Sequence, residues 1–138
     1  MKRISIKGIA LGAIATIILD LIVAVVLMII FGGHVFKSGM PAQQMAEALT
    51  AVARGNDFLI ASLILGTLTT VVGGYIAARI AKKEIYLNSG IVGLIGMVLG
   101  VFLGGQSPMW FNAAGFLTTV PAALVGGYLA KSRQSKDA

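Results

Sequence analysis

The sequence predicts an all-α protein, a polytopic membrane bundle of four transmembrane helices paired as two hairpins. Three observations carry this reading. Of the 138 residues, 57% are hydrophobic and 12% charged, with a mean hydropathy of +0.93. A water-soluble domain of this size cannot hide so much apolar surface behind so few charges. The apolar residues also run in long blocks without two-residue alternation, and about 20 such residues cross the roughly 30 Å hydrocarbon layer as a helix. Finally, the cations gather at alternate ends of those blocks.

The spans fall at about 8–31, 58–80, 86–104 and 109–130, within one domain covering 1–138. The first follows Met1-Lys2-Arg3 but is too long for a secretory signal, contains Asp20, and lacks an A-x-A cleavage site before "GGHVFKSGM". It therefore reads as an uncleaved helix. The loop after it, "KSGMPAQQMAEALTAVARGND", has Pro41 suited to a first helical turn and Gly55 suited to the position past a helix end. Met45, Leu49 and Val52 recur between them at helical spacing, which predicts a short amphipathic helix over about 41–54, lying on the outer interface or capping the bundle. The third span reaches full length only if it begins near Tyr86. The second outer loop, "GGQSPMWFN", is tight and uncharged, with Trp110 and Phe111 placed for the interfacial aromatic belt and Tyr86 and Tyr128 for the opposite one.

Net charge is +6, and its distribution explains it. Lys2, Arg3 and Lys7 precede the first span, Arg79, Lys82 and Lys83 follow the second, and Lys131, Arg133 and Lys136 follow the fourth. The other side has Lys37 and Arg54, offset by Glu47 and Asp57. Cationic loops remain on the cytoplasmic side, so both termini are expected in the cytoplasm and the protein in the inner membrane. Topology accounts for the basic balance without nucleic acid. The absence of cysteine excludes disulfides, thiolate metal sites and thiol nucleophiles.

Two spans echo each other. The second contains "LTTVVGGY" and the fourth "LTTVPAALVGGY", with four extra residues between the shared tetrads. Four residues are about one helical turn, so the faces stay nearly in phase. Either an ancestral duplication, giving hairpins related by an axis along the membrane normal, or chance similarity between glycine-rich helices accounts for the echo.

Small residues also recur every four positions. The first span has Gly8, Gly12, Thr16, Asp20 and Ala24; the second has Ser62, Gly66, Thr70, Gly74 and Ala78; the third has Gly96, Gly100 and Gly104, with Gly93 beside them; the fourth has Ala114, Thr118, Ala122, Gly126 and Ala130. Lipid tails are as apolar as leucine, so helices in a bilayer gain cohesion by close backbone approach over small residues. The stripes predict tight helix seams at Gly8, Gly12, Gly66, Gly74, Gly96, Gly100, Gly104 and Gly126 and leave surface for self-association.

Asp20 interrupts "ATIILDLIVAVVLMII". An aspartate at a helix centre costs about 2.5–3.5 kcal/mol on insertion scales, whereas each large apolar residue near the centre returns roughly 0.3–0.6 kcal/mol. Fifteen Ile, Leu, Val and Phe residues lie within 9–31, so the helix inserts in spite of the acid. Depth can be counted at about 1.5 Å per residue from the basic ends. Asp20 is thirteen residues from Lys7, and Thr70 and Thr119 are each twelve from Lys82 and Lys131. The reading is one polar locus near mid-membrane, made of Asp20, Thr69, Thr70, Thr118, Thr119 and the Leu117 carbonyl, whose helical donor Pro121 removes. Two roles are open: a neutral carboxyl locking helix register, or a proton or cation site.

No catalytic constellation accompanies it. G-x-S-x-G, H-E-x-x-H and P-loop patterns are absent, His34 is the only histidine, and a second intramembrane acid is missing. Neither a metal nor a cofactor is implied. The segment "TVVGGYIAARIAKKEIYLNSGIVGLIGMVLG" resembles an uncharacterised family of small four-helix bacterial integral membrane proteins, in which a G-G-Y/F-x-A-A/G-R segment closes the second helix. The matching positions are Gly73, Gly74, Tyr75, Ala77, Ala78 and Arg79, then Gly90 and Gly93; Ser89 stands where such relatives often have histidine. The resemblance covers about thirty residues and implies four spans in a bacterial cytoplasmic membrane, with no activity attached. The expectation is a non-enzymatic helix-packing module in the lipid bilayer that self-associates or accompanies a larger membrane protein. The alternative is a small dimeric transporter or ion pathway using Asp20.

Overall fold

The computed structural model describes residues 4–37, 39–103 and 105–137. Among them the secondary structure is helical: α1 (Ile6–Phe36), α2 (Ala42–Ala53), α3 (Asn56–Ala81), α4 (Ile85–Leu103) and α5 (Met109–Lys136). All but α2 are long and apolar enough to cross a membrane. Local chemistry marks the ends. The Ser5 hydroxyl caps α1 by accepting from the Gly8 N–H at 3.2 Å, which satisfies one of the unpaired donors of a first helical turn. Pro41, Gly55 and Pro108 stand at the N-caps of α2, α3 and α5. The chain leaves α3 through left-handed Lys82 (φ 57°) and turns again at Glu84 (φ 47°).

The spanning helices form a ring in the order α1, α3, α5, α4, and α3 also touches α4 across it. α1 and α5 lie on the long diagonal and do not meet among the described residues. The buried centre is built from small side chains: Ala77, Ala78, Ala123 and Ala130 are fully enclosed, and a larger cluster forms only where Ile9, Ala77 and Val92 meet. α2 packs its half-buried Met45, Leu49 and Val52 toward the bundle, with Leu49 against Gly32 of α1. It caps the bundle, and the exposed Arg54 beyond it bonds Gln106 in the opposite loop at 3.4 Å.

The seams are very close. A Cβ on Gly12 would stand 2.6 Å from the Gly73 carbonyl oxygen and 2.9 Å from the Ala77 Cβ; one on Gly8 would stand 2.8 Å from the Ala77 carbonyl oxygen. Gly73 faces Thr16 and Gly12, Gly74 faces Ala123, and Gly126 faces Val71 and Tyr75. Gly93 lies against Val120 and Ala123, and Gly127 against Ser89. All of these belong to the half of the bundle nearer the chain termini. In the other half, Gly66, Gly100 and Gly115 have open space beside them, so the close glycine seams are confined to one end, while at the end carrying α2 larger side chains fill the contacts, with Leu27, Val35 and Leu59 buried and Phe31 of α1 against Phe58 of α3.

The sequence echo has no counterpart as a two-fold arrangement. An axis relating α1 to α4 and α3 to α5 would match the α3–α4 contact with one between α1 and α5, whereas α1 instead touches α4. The two VGGY tetrads also work in opposite order. In α3 the first glycine faces α1 and the second faces α5; in α5 the first faces α3 and the second faces α4.

Candidate functional site

Asp20 sits where the interlocked half ends. Gly8, Gly12 and Thr16 are buried against α3, but Asp20 and Ala24, the next two rungs of the same ladder, are exposed in the single chain. The cause is helical geometry. Residues four apart advance about 400°, so a four-residue ladder drifts by about 40° per rung and faces one neighbour for only a few rungs. The same drift corrects the seam expected at Gly66 and Gly100, which have no neighbour, while Gly96 makes an ordinary contact with the Thr119 methyl at 3.4 Å. Gly104 lies outside the described residues.

The Asp20 carboxyl still reaches α3, where the Thr69 hydroxyl donates to its Oδ1. Thr69 Oγ1 also stands 2.8 Å from the Gly66 carbonyl oxygen, and Thr70 Oγ1 donates to that same oxygen at 2.8 Å. Thr69 is buried, one turn along α3 from the Gly73–Thr16 contact. Its single hydroxyl proton faces two acceptors. Asp20 and Thr69 are therefore one hydrogen-bonded pair joining α1 to α3.

The other side of Asp20 opens on a cleft of about 550 Å³ between α1 and α4. Ala13, Ile17 and Ala24 line one wall, Ile95 and Leu99 the other, and Phe111 of α5 also lines it. Thr16 is the only other polar side chain on the lining, and its hydroxyl already donates to the Gly12 carbonyl at 3.0 Å. No Lys, Arg or His lies in residues 8–33, 58–78, 85–103 or 109–130, so the bundle supplies no countercharge at this depth. Among the described residues no group of three or more His, Cys, Asp or Glu comes together as a metal site.

Thr118 and Thr119 do not join this locus. Their level is as counted, since Gly74 packs on Ala123 and Thr70 and Thr119 each lie one turn further along. Their helix, however, is across the ring from α1. Thr118 donates to the Ala114 carbonyl at 2.8 Å and Thr119 to the Gly115 carbonyl at 2.6 Å. Thr119 lines a second cavity, of about 300 Å³, with Met97, Phe111 and Asn112. Leu117 and Pro121 are on the exposed face of α5. Thr70 is buried but back-bonded, so the locus reduces to Asp20 and Thr69.

A polar hub that sequence reasoning missed lies at the terminal end. Asn88 is fully buried; its Oδ1 accepts from the Ser5 N–H at 2.7 Å, and its Nδ2 donates to the Lys83 and Glu84 carbonyls at 3.2 and 2.9 Å. One amide thus ties the start of α1 to the α3–α4 turn. Ser89, also fully buried, donates to the Ile85 carbonyl at 2.8 Å and fills the space Gly127 leaves. The available signal was an asparagine near the start of an apolar span, directly after a basic turn. Arg79 lies outside the hub, over the Tyr75 ring at 5.9 Å and 3.8 Å from Asp137, with both charged side chains exposed. Comparison with known protein families, curated proteins and solved structures finds no match to this chain.

Proposed function

We propose that this chain is a small, non-enzymatic membrane carrier or ion pathway in which Asp20 takes up and releases a proton near mid-membrane. One observation carries the reading: the carboxyl is held by Thr69 at the boundary between the interlocked half and the open cleft. A purely structural acid is expected inside a seam, bonded on both sides. Asp20 has Thr69 on one side and a cavity on the other. An intramembrane acid facing a cavity is a functional candidate by default, because insertion disfavours it and its bond to Thr69 occupies only one side of the carboxyl.

The tight seams are consumed inside the chain, and among the exposed apolar faces the one between α1 and α4 carries the cleft beside Asp20. Two copies meeting across that face would enclose the clefts and give two carboxyls one path, an arrangement that four helices alone do not supply. The clustering of Lys and Arg at the terminal end supports a reading with both termini in the cytoplasm and the cleft toward the outer leaflet of a bacterial inner membrane.

The test is proton flux into proteoliposomes driven by a potassium gradient with valinomycin. Asp20→Asn should reduce flux to that of protein-free vesicles while helicity and elution volume stay unchanged. A variant with wild-type flux, or wild-type protein no faster than empty vesicles, overturns the reading.

A further inference from the structure

The cleft beside Asp20 has a chemistry that selects a ligand, and we infer that it binds a lipophilic organic monocation, with the carboxylate as counterion. This rests on the reading of Asp20 as a proton-exchanging group and names what exchanges with the proton.

Size and lining decide the class. A bare metal ion replaces its hydration shell with six or more oxygens, as hard cations require. The lining side chains offer such an ion only the Asp20 carboxylate and the Thr16 hydroxyl oxygen, too few oxygens to replace that shell. A cavity of about 550 Å³ walled by Ala13, Ile17, Ala24, Ile95 and Leu99 suits a body with several apolar rings or chains. A neutral apolar molecule would fill the walls but leave the carboxylate uncompensated. An anion would meet it as a like charge. A cation whose charge is spread over an apolar body satisfies both features: it loses little hydration on leaving water, and its attraction to a carboxylate is strong in a low-dielectric site. Phe111 also lines the cleft, and an aromatic ring is a favourable neighbour for a cation.

Access and exclusivity agree. The cleft lies between α1 and α4, with Phe111 as its one lining residue from α5, and Asp20, Leu21 and Ala24 on its α1 wall are exposed. α3 and α4, which pack against α1 here, bring no titratable side chain to this level. Exchange is therefore simple: where the carboxyl holds a proton, an entering cation displaces one, and charge at the site is conserved.

The experiment uses the full chain purified in detergent, with radiolabelled tetraphenylphosphonium as probe and tetraphenylborate, the same shape with opposite charge, as control. Saturable phosphonium binding is expected, with release of protons into weakly buffered solution and no competition by the borate. Removing one partner of a desolvated charge pair costs enough that Asp20→Asn should bind about thirtyfold more weakly or worse. Asp20→Glu should retain binding, and Ala24→Trp, which fills the cleft from an exposed position, should block it without altering the fold. Equal binding of phosphonium and borate, or undiminished binding by Asp20→Asn, overturns the inference by exposing mere partition into apolar surface. Asp20-dependent proton flux without phosphonium binding sinks this inference and leaves the proton reading intact; Asp20-dependent binding without any flux does the reverse.

Discussion

The same substitution should have opposite effects at two glycines of one helix. Gly66 and Gly74 lie on one ladder of α3, two rungs apart. A Cβ at Gly74 would meet the Ala123 carbonyl oxygen, and would stand 2.8 Å from the Ala123 Cα and 2.9 Å from its carbonyl carbon. Carbon atoms rest about 3.5–4.0 Å apart, and these are backbone atoms that no rotamer change can move. Gly74→Ala therefore forces α3 and α5 apart by about 0.7 Å, and a gap of 0.5–1 Å already forfeits a quarter to a half of each dispersion contact. Gly126, against Val71 and Tyr75, shares the seam and opens with it. The expected loss is about 2 kcal/mol, within the usual overpacking range. At Gly66 an added Cβ meets nothing within 4 Å, so Gly66→Ala should be neutral or stabilise by up to about 1 kcal/mol through helix propensity. Unfolding in mixed micelles with rising sodium dodecyl sulfate, followed by circular dichroism, reads both. Equal destabilisation by the two variants, or a larger loss at Gly66, would refute the assignment of the seam.

Two other expectations are more direct. Asn88→Leu keeps the volume but strips the side-chain partner from the Ser5 N–H and the Lys83 carbonyl, while the Glu84 carbonyl keeps the backbone N–H of residue 88; at about 1–3 kcal/mol per buried group left unpaired, the same titration should show a loss of about 2 kcal/mol, against little change for the exposed Asn112→Leu. Because the chain has no cysteine, single Gln106→Cys and Ser135→Cys variants report topology without background. A membrane-impermeant maleimide added to intact cells should label position 106 and spare 135, and the converse pattern would invert the assigned orientation.

The fold was legible because hydropathy is a sum over some twenty residues and tolerates local error. The spans read at 8–31, 58–80 and 109–130 sit inside α1, α3 and α5, and the third, expected from Tyr86, begins at Ile85. The outer-loop helix expected over 41–54 is α2, since proline and glycine punctuate backbone conformation whatever surrounds them. The seams were legible only in part. Periodicity in one helix says which residues share a face, but not which neighbour that face meets. Hence Gly74 and Gly126 were found with their stripe, whereas Gly73 and Gly127, one residue away from them, carry equally close contacts on another face. Depth was legible for the threonines and azimuth was not: Thr69 meets Asp20 while Thr119, at the same level, belongs to the far side of the ring. Asn88 was passed over because a lone amide near a span boundary resembles an interfacial residue until its three backbone partners are seen together.

The ladder's drift also explains why the acid is at position 20 and not one rung earlier. Thr16 borders the cleft but is buried against Gly12 and Gly73, and a carboxylate there would be pressed on carbonyl oxygens with no cation, the arrangement in which a buried charge is most costly. Two rungs later, Ala24 lies on exposed surface, beyond the turn of α3 that carries Thr69. Position 20 alone on this ladder combines a hydroxyl from α3 with access to the cleft. The half of the bundle below it is closed by glycine seams too tight for a methyl group, and above them the cleft between α1 and α4 opens. A group that must be reached from one side, and held in place while it is reached, belongs at that boundary. Moving the acid to Thr16 would press it against the Gly12 and Gly73 backbone, and moving it to Ala24 would take it away from the α3 hydroxyl.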